Sequence, residues 1–272
     1  MKRNFAMDAA RGLLALVIVF VHVLFISGLR QSGSRAAIGW WAVYGFMVLA
    51  GYSALAFYQP EPYGRYLTKK FFRIVPVLLV ALAASLVVHT VLVPAWFITV
   101  LAQFYLVFPA IMWAIKRFGR SVLLWLLALG LFFLLPAVWD VFERFAPFGE
   151  FLPMSLFWFV VGMIMSELCD PYVMADLSSR CERFGFLIRI GELSYSAYLV
   201  HWPVLILSSY IVPLHWPLAA RMANLAVLGV PATLAASVLC YRRIELPGIA
   251  LGRGGLLASF FMIPPPHHTT PK

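Results

Sequence analysis

The chain has 272 residues, 63% of them hydrophobic and only 12% charged, with a formal net charge of +10. A water-soluble domain of that size needs more polar residue to wet its surface, so the composition excludes one and indicates an all-α protein built from membrane-spanning helices. Cys169, Cys181 and Cys240 are an odd number without metal-type spacing. They indicate neither a disulfide framework nor a zinc site, and no metal is expected.

Apolar segments close to the roughly 20 residues of a spanning helix fall at 12–29, 39–57, 73–93, 96–115, 121–138, 151–168, 187–211 and 221–241. The first follows Lys2 and Arg3 in the manner of a signal peptide. It lacks a small-x-small cleavage site in a polar setting and reads as a retained helix. Numbered alternately from the inside, the connections place 17 of the 21 Lys and Arg residues on one side, leaving only Arg30, Arg35, Arg144 and Arg221 on the other. That asymmetry is the positive-inside pattern, and it predicts a polytopic transmembrane bundle of about eight spans with both termini cytoplasmic. The basic excess is then topological and lipid-facing, with no nucleic-acid partner.

Residues 1–250 read as a single transmembrane domain. His89 and Pro94 crowd a tight hairpin between the third and fourth spans. The polar segment 170–186 reads as a cytoplasmic loop carrying a short amphipathic piece. The tail 251–272, ending PPPHHTTPK, reads as disordered and cytoplasmic, with His267–His268 belonging to that tail and not to a metal site.

Within the first span, MDAARGLLALVIVFVHV sets Arg11 and His22 eleven residues apart. Eleven steps of about 100° return to within roughly 20° of the starting direction, so both side chains leave one helical face about 16 Å apart along the axis. That distance is near half the hydrocarbon thickness of a bilayer. Ionisable groups at such depth are functional by default, and a neutral imidazole suits a general base. A core histidine bonded to a neighbouring helix is the alternative. Asp8, three residues before Arg11, is placed to pair with it at the rim.

The next basic cluster is RYLTKKFFRIVPVLL, in which Arg65, Lys69, Lys70 and Arg73 recur at three-to-four spacing on one cationic face. Snorkelling anchors are the ordinary reading of such lysines. Arg73 differs, because apolar residues follow at once and Pro76 then frees backbone groups; a polyphosphate ligand would find charge there. The fourth span, PAWFITVLAQFYLVFP, puts Trp96, Thr99 and Gln103 on one face. Trp96 fits an interfacial belt, whereas an amide such as Gln103 must be paired inside the bundle. In GELSYSAYLVHWPVL, Ser194, Tyr198 and His201 share a face, with interhelical hydrogen bonding as the plain reading and a site as the other. At YRRIELP, Glu245 stands beside Arg242 and Arg243 as a rim salt bridge.

Taken in order over residues 7–247, these pieces resemble the acyltransferase-3 family of integral membrane O-acyltransferases. MDAARGLLALVIVFVH resembles that family's opening helix with its arginine, ten residues and histidine. VLAGY at 48–52 is similar to its small-glycine-aromatic motif, KKFFRIVP to its basic motif, and WFITVLAQFYLVFP to its tryptophan-to-glutamine helix. SYSAYLVHWP and IELP resemble its penultimate-helix and terminal motifs. Two departures stand out. Leu101 and Ala102 occupy the place of a glutamate common in the fourth span, and about two of the usual ten helices are missing between Cys169 and SYSAYLVHWP.

The resemblance implies transfer of an acyl group, usually acetyl, from cytoplasmic acyl-CoA to a hydroxyl of a carbohydrate or lipid-linked glycan. The setting it implies is a multi-pass protein of a bacterial inner membrane. No tightly bound cofactor is expected; acyl-CoA is a substrate. Mapped by motif, His22 would be the base or acyl relay, with Arg11 beside it in the catalytic set. Arg11, Arg73, Lys69 and Lys70 would hold the CoA phosphates. Gln103, Trp96, Tyr198 and His201 would position substrate, and Asp8, Glu245 and Ser194 would support the site. Two other readings stay open: a glycan or lipid transporter of the flippase kind, and an inactive scaffold derived from an acyltransferase.

Overall fold

A computed structural model describes residues 4–29, 34–90, 95–145, 152–212 and 215–254. Among them the regular structure is helical throughout. The helices are α1 (Phe5–Ile26), α2 (Ser34–Ala56), α3 (Tyr63–Val87), α4 (Ala95–Phe118), α5 (Ser121–Phe133), α6 (Pro136–Phe145), α7 (Leu152–Leu168), α8 (Pro171–Cys181), α9 (Gly185–Ser209) and α10 (Leu218–Gly252). The expected hairpin around Pro94 and the tail beyond residue 254 fall outside the described residues; the chain is still helical at 251–252.

Five of these helices, α1 to α4 and α10, are long and apolar enough to cross a membrane, and α7 with α8 would make a sixth if a pair bent by 104° is one span. The other expected spans are helices of 13 residues (α5) and 25 residues (α9). The segment expected at 121–138 stops short at Phe133, because Pro136 restricts the residue before it and begins a new helix, α6. The surface fits a lipid solvent: many large apolar side chains are exposed, Leu86, Val87 and Trp125 at 74%, 78% and 76% among them.

Two basic stretches assigned to connections lie on helices instead. Arg65, Lys69, Lys70 and Arg73 occupy the first three turns of α3, and YRRIELP is inside α10. The latter helix holds together over 35 residues with two wider π-type turns at Leu225–Gly229 and Tyr241–Glu245. Such turns insert an extra residue and redirect side chains. The amphipathic piece expected in 170–186 is α8, capped by the Asp170 side chain accepting from the Tyr172 N–H at 2.7 Å.

Close packing of helix pairs organises the bundle, as expected where the hydrophobic effect does not drive helices together and van der Waals contact must. α1 lies against α9: Gly12 meets the Leu187 carbonyl, and Gly191 meets the Asp8 carbonyl. α2 lies against α7 in the same way, with Gly51 on the Phe159 carbonyl and Gly162 on the Val48 carbonyl. A Cβ at any of the four would collide with backbone, so only glycine permits these approaches. The glycines of MDAARG and VLAGY therefore fasten helices. Phe104 of α4 stacks on Phe159 of α7 with centroids 4.1 Å apart, both fully buried, joining α4 to the α2–α7 pair.

Candidate functional site

The close fit of α1 on α9 brings His22 onto His201. His201 is fully buried, and its Nε2 lies 3.0 Å from Nδ1 of His22. Its other nitrogen, Nδ1, lies 3.0 Å from the Ala197 carbonyl one turn back. A carbonyl only accepts, so Nδ1 of His201 carries the proton and, for neutral rings, its Nε2 accepts from His22 Nδ1–H. This arrangement leaves Nε2 of His22 with the lone pair. Trp202 meets His22 edge-on at 5.3 Å and donates from Nε1 to Thr90 Oγ1 at 3.3 Å, fixing a wall beside the pair.

A cavity of about 320 Å³ opens at the Arg11 end of the same helices. Asp8 and Arg11 line it from α1, Phe46, Ala50, Ser53 and Ala54 from α2, and Lys70, Arg73 and Ile74 from α3. Phe97, Leu101 and Tyr105 come from α4, Glu192, Ser194, Tyr195 and Tyr198 from α9, and Tyr241 and Glu245 from α10. From Ala54 to Phe46 the lining runs eight residue steps along α2, or about 12 Å of depth. Its outer part carries Arg11, Lys70 and Arg73; its inner end is Phe46, Phe97 and Tyr198. His201 stands three residues past Tyr198, about 4.5 Å along α9, with ring centroids 6.0 Å apart.

Each charged side chain is held by particular neighbours. Arg11 Nη2 donates to Ser53 Oγ at 2.8 Å, and its Nη1 lies 3.7 Å from Asp8 Oδ1, the pairing expected from their spacing. The Ser53 hydroxyl passes its own proton to the Leu49 carbonyl at 2.7 Å, so it is oriented as an acceptor. Lys70 Nζ lies 4.5 Å from the Tyr105 ring centroid, a cation–π contact. Arg73 Nε is 3.9 Å from Glu245 Oε1, and half the Arg73 side chain is exposed.

The expected rim pairing of Glu245 with Arg242 and Arg243 is corrected. Glu245 is 1% exposed and accepts from Ser196 Oγ at 2.7 Å, while both arginines face outward. The helical continuation through Tyr241–Glu245 turns the carboxylate into the bundle, where Arg73 and a hydroxyl replace solvent.

Among the residues expected at the site, His22, Arg11, Arg73, Lys70, Tyr198, His201, Asp8, Glu245 and Ser194 converge on the cavity or on the histidine pair behind it. Three stand apart. Lys69 Nζ is 2.5 Å from Glu61 Oε2 and does not line the cavity. Gln103 Oε1 accepts from the Leu152 N–H at 2.9 Å, satisfying a free donor at the first turn of α7. Trp96 packs between Trp40 and Phe97, at 5.4 and 6.2 Å between centroids. Residues not anticipated include Ser53, Phe46, Phe97, Tyr105 and Tyr195. The Tyr195 hydroxyl donates to the Ile74 carbonyl at 2.6 Å and ties α9 to α3 beside Arg73. Among the described residues no three His, Cys, Asp or Glu side chains gather as a metal site requires.

Among the described residues, helices of membrane-crossing length enclose a cavity with cations at one end, and a pair of imidazoles lies beyond the other. A family model described as an acyltransferase domain matches residues 4–168, more than half of the chain, and the chain belongs to the acyltransferase-3 family. It is a membrane acyltransferase. No match was found among curated proteins or among solved structures.

Proposed function

We propose that the protein takes an acetyl or similarly small acyl group from acyl-CoA on the cytoplasmic side and transfers it to a hydroxyl of a carbohydrate or lipid-linked glycan. The setting we propose is a bacterial inner membrane, with both termini cytoplasmic. One observation carries the reading: a cavity with three cations at its outer part ends one helical turn short of a hydrogen-bonded imidazole pair on the same helices. Arg11, Lys70 and Arg73 suit the phosphates of CoA, which bind guanidinium groups in paired fashion. The thioester end then points inward.

In this mechanism Nε2 of His22 takes the proton of the acceptor hydroxyl as its oxygen attacks the thioester carbonyl. The C–O bond forms, the C–S bond breaks, and the imidazolium returns the proton to the departing CoA sulfur. His201 holds the His22 ring in the tautomer that leaves Nε2 free and, as a neutral acceptor, receives the stronger hydrogen bond of the imidazolium. Arg11 lies too near the mouth to touch the reacting carbonyl while it binds phosphate, so its part is donor binding.

The test is transfer of radiolabelled acetyl from acetyl-CoA by the purified full-length protein, with membranes of the source organism supplying the acceptor. Label should appear in a base-labile ester, be lost in His22→Ala, and show a raised KM for acetyl-CoA in Arg73→Ala. Translocation of a glycan without any use of acyl-CoA would overturn the reading in favour of a transporter.

A further inference from the structure

The inner end of the cavity is a wall of aromatic rings drawn from three helices. Phe97 of α4 and Tyr198 of α9 lie 5.1 Å apart by centroid, Phe46 of α2 is 6.1 Å from Phe97, and Phe46 is 6.5 Å from Tyr198. Leu101, one turn from Phe97, extends the same apolar surface. Phe97 and Tyr198 are 7% and 6% exposed and Phe46 is half-buried, so Phe97 and Tyr198 are packed on most sides. On the far side, Trp202 meets His22 edge-on, and its ring lies 6.1 Å from that of Phe25, which is exposed at the surface.

A donor whose phosphates lie on Arg11, Lys70 and Arg73 meets this wall with its acyl end first. Close-packed cores yield little to added volume, and one methylene more or less in an apolar pocket changes specificity by roughly 10- to 200-fold. We infer that the Phe46–Phe97–Tyr198 wall restricts the donor to short acyl groups of about acetyl size, with Phe97 the residue that sets the limit. Tyr198 also abuts His201, so changes there disturb the histidine pair; among the described residues the ring partners of Phe97 are Phe46, Trp96 and Tyr198. The inference rests on the acyl-CoA donor reading and names the part of the donor that the site selects.

Competition binding tests it without knowledge of the acceptor. Radiolabelled acetyl-CoA is bound to the full-length protein in detergent micelles and displaced by CoA, acetyl-CoA, butyryl-CoA or hexanoyl-CoA. The wild type should bind hexanoyl-CoA at least about tenfold more weakly than acetyl-CoA, and Phe97→Ala should narrow the gap to within about threefold. Phe97→Leu, which keeps more of the packing, should fall between. Displacement by CoA itself reports that each variant is folded. Equal binding of the two acyl-CoAs by the wild type overturns the inference, as does an unchanged ratio in Phe97 variants that still bind CoA. A wild type that binds CoA and its thioesters not at all fails the donor reading itself, and the filter with it.

Discussion

The His22–His201 contact makes a quantitative prediction about His201→Phe. The substitution keeps a planar ring in a fully buried place but removes the His201 nitrogen that accepts from His22 Nδ1–H at 3.0 Å, leaving the Ile18 backbone as the other hydrogen-bond partner of His22. Side-chain hydrogen bonds inside membrane proteins contribute about 0.6 kcal/mol on average and up to about 1.7. If the transition state loses only that contact, the rate falls by a factor of about 3 to 20, at roughly 1.4 kcal/mol per decade. Removing the proposed base, in His22→Ala, should cost on the order of 10² to 10⁴. The assay is the initial rate of label transfer at saturating acetyl-CoA, so that kcat is read apart from KM. His201→Gln, whose amide oxygen can accept near the same position, should recover part of the loss. Two results would refute the reasoning: a His201→Phe defect as deep as that of His22→Ala, which makes His201 a direct participant, or full activity in His201→Phe, which leaves the tautomer lock without effect.

The two basic residues one helical turn apart on α3 should separate in function. Arg73→Ala should raise KM for acetyl-CoA by about tenfold or more, as expected for loss of a charge-assisted contact, whereas Lys69→Ala, whose ammonium is engaged by Glu61, should leave KM within about twofold. Gly51→Leu and Gly162→Leu should each lower thermal stability in detergent by about 1–3 kcal/mol or prevent assembly, because backbone carbonyls of the partner helix occupy the space a side chain needs. Gln103→Leu should cost about 1 kcal/mol, typical of a lost helix cap, and lower the melting temperature without changing the KM for acetyl-CoA; a selective KM effect would return Gln103 to the binding site.

Local pattern carried much of this architecture. Arg11 and His22 share a face because helical rotation alone requires it, and the apolar segments are helices because hydrocarbon leaves no other way to satisfy their backbones. The α9 residues Ser194, Tyr198 and His201 also declared themselves by spacing. What spacing cannot contain is which helix faces which. His22 and His201 are 179 positions apart, and their meeting depends on Gly12 and Gly191 letting α1 and α9 touch. Lys69 and Lys70 are adjacent letters, yet the 100° between them sends one to Glu61 and the other to the cavity. Glu245 beside two arginines reads as a surface pair until α10 proves continuous past it. Phe46 and Phe97 are invisible in a chain so rich in apolar residue, since a ring that closes a cavity and a ring that faces lipid look the same as letters.

The position of Leu101 ties these threads together. It lines the cavity one turn from Phe97, where a glutamate would put a carboxylate against the aromatic wall. A charge there would need a partner, and the neighbouring lining at that depth, Phe46, Phe97 and Tyr198, supplies rings and one hydroxyl but no cation. Leucine instead continues the apolar surface and leaves acids only nearer the mouth, at Asp8, Glu192 and Glu245. Two of these are committed by geometry: Asp8 lies beside Arg11, and Glu245 is held by Ser196 and faces Arg73. In the mechanism we propose, proton transfer at the inner end therefore falls to the imidazole pair. An acid introduced by Leu101→Glu should accordingly lower acetyl-CoA binding, by placing an unpaired carboxylate beside the incoming thioester, and it should not raise kcat. A Leu101→Glu variant with faster transfer would show that the site lacks a second acid and that His22 and His201 do not suffice.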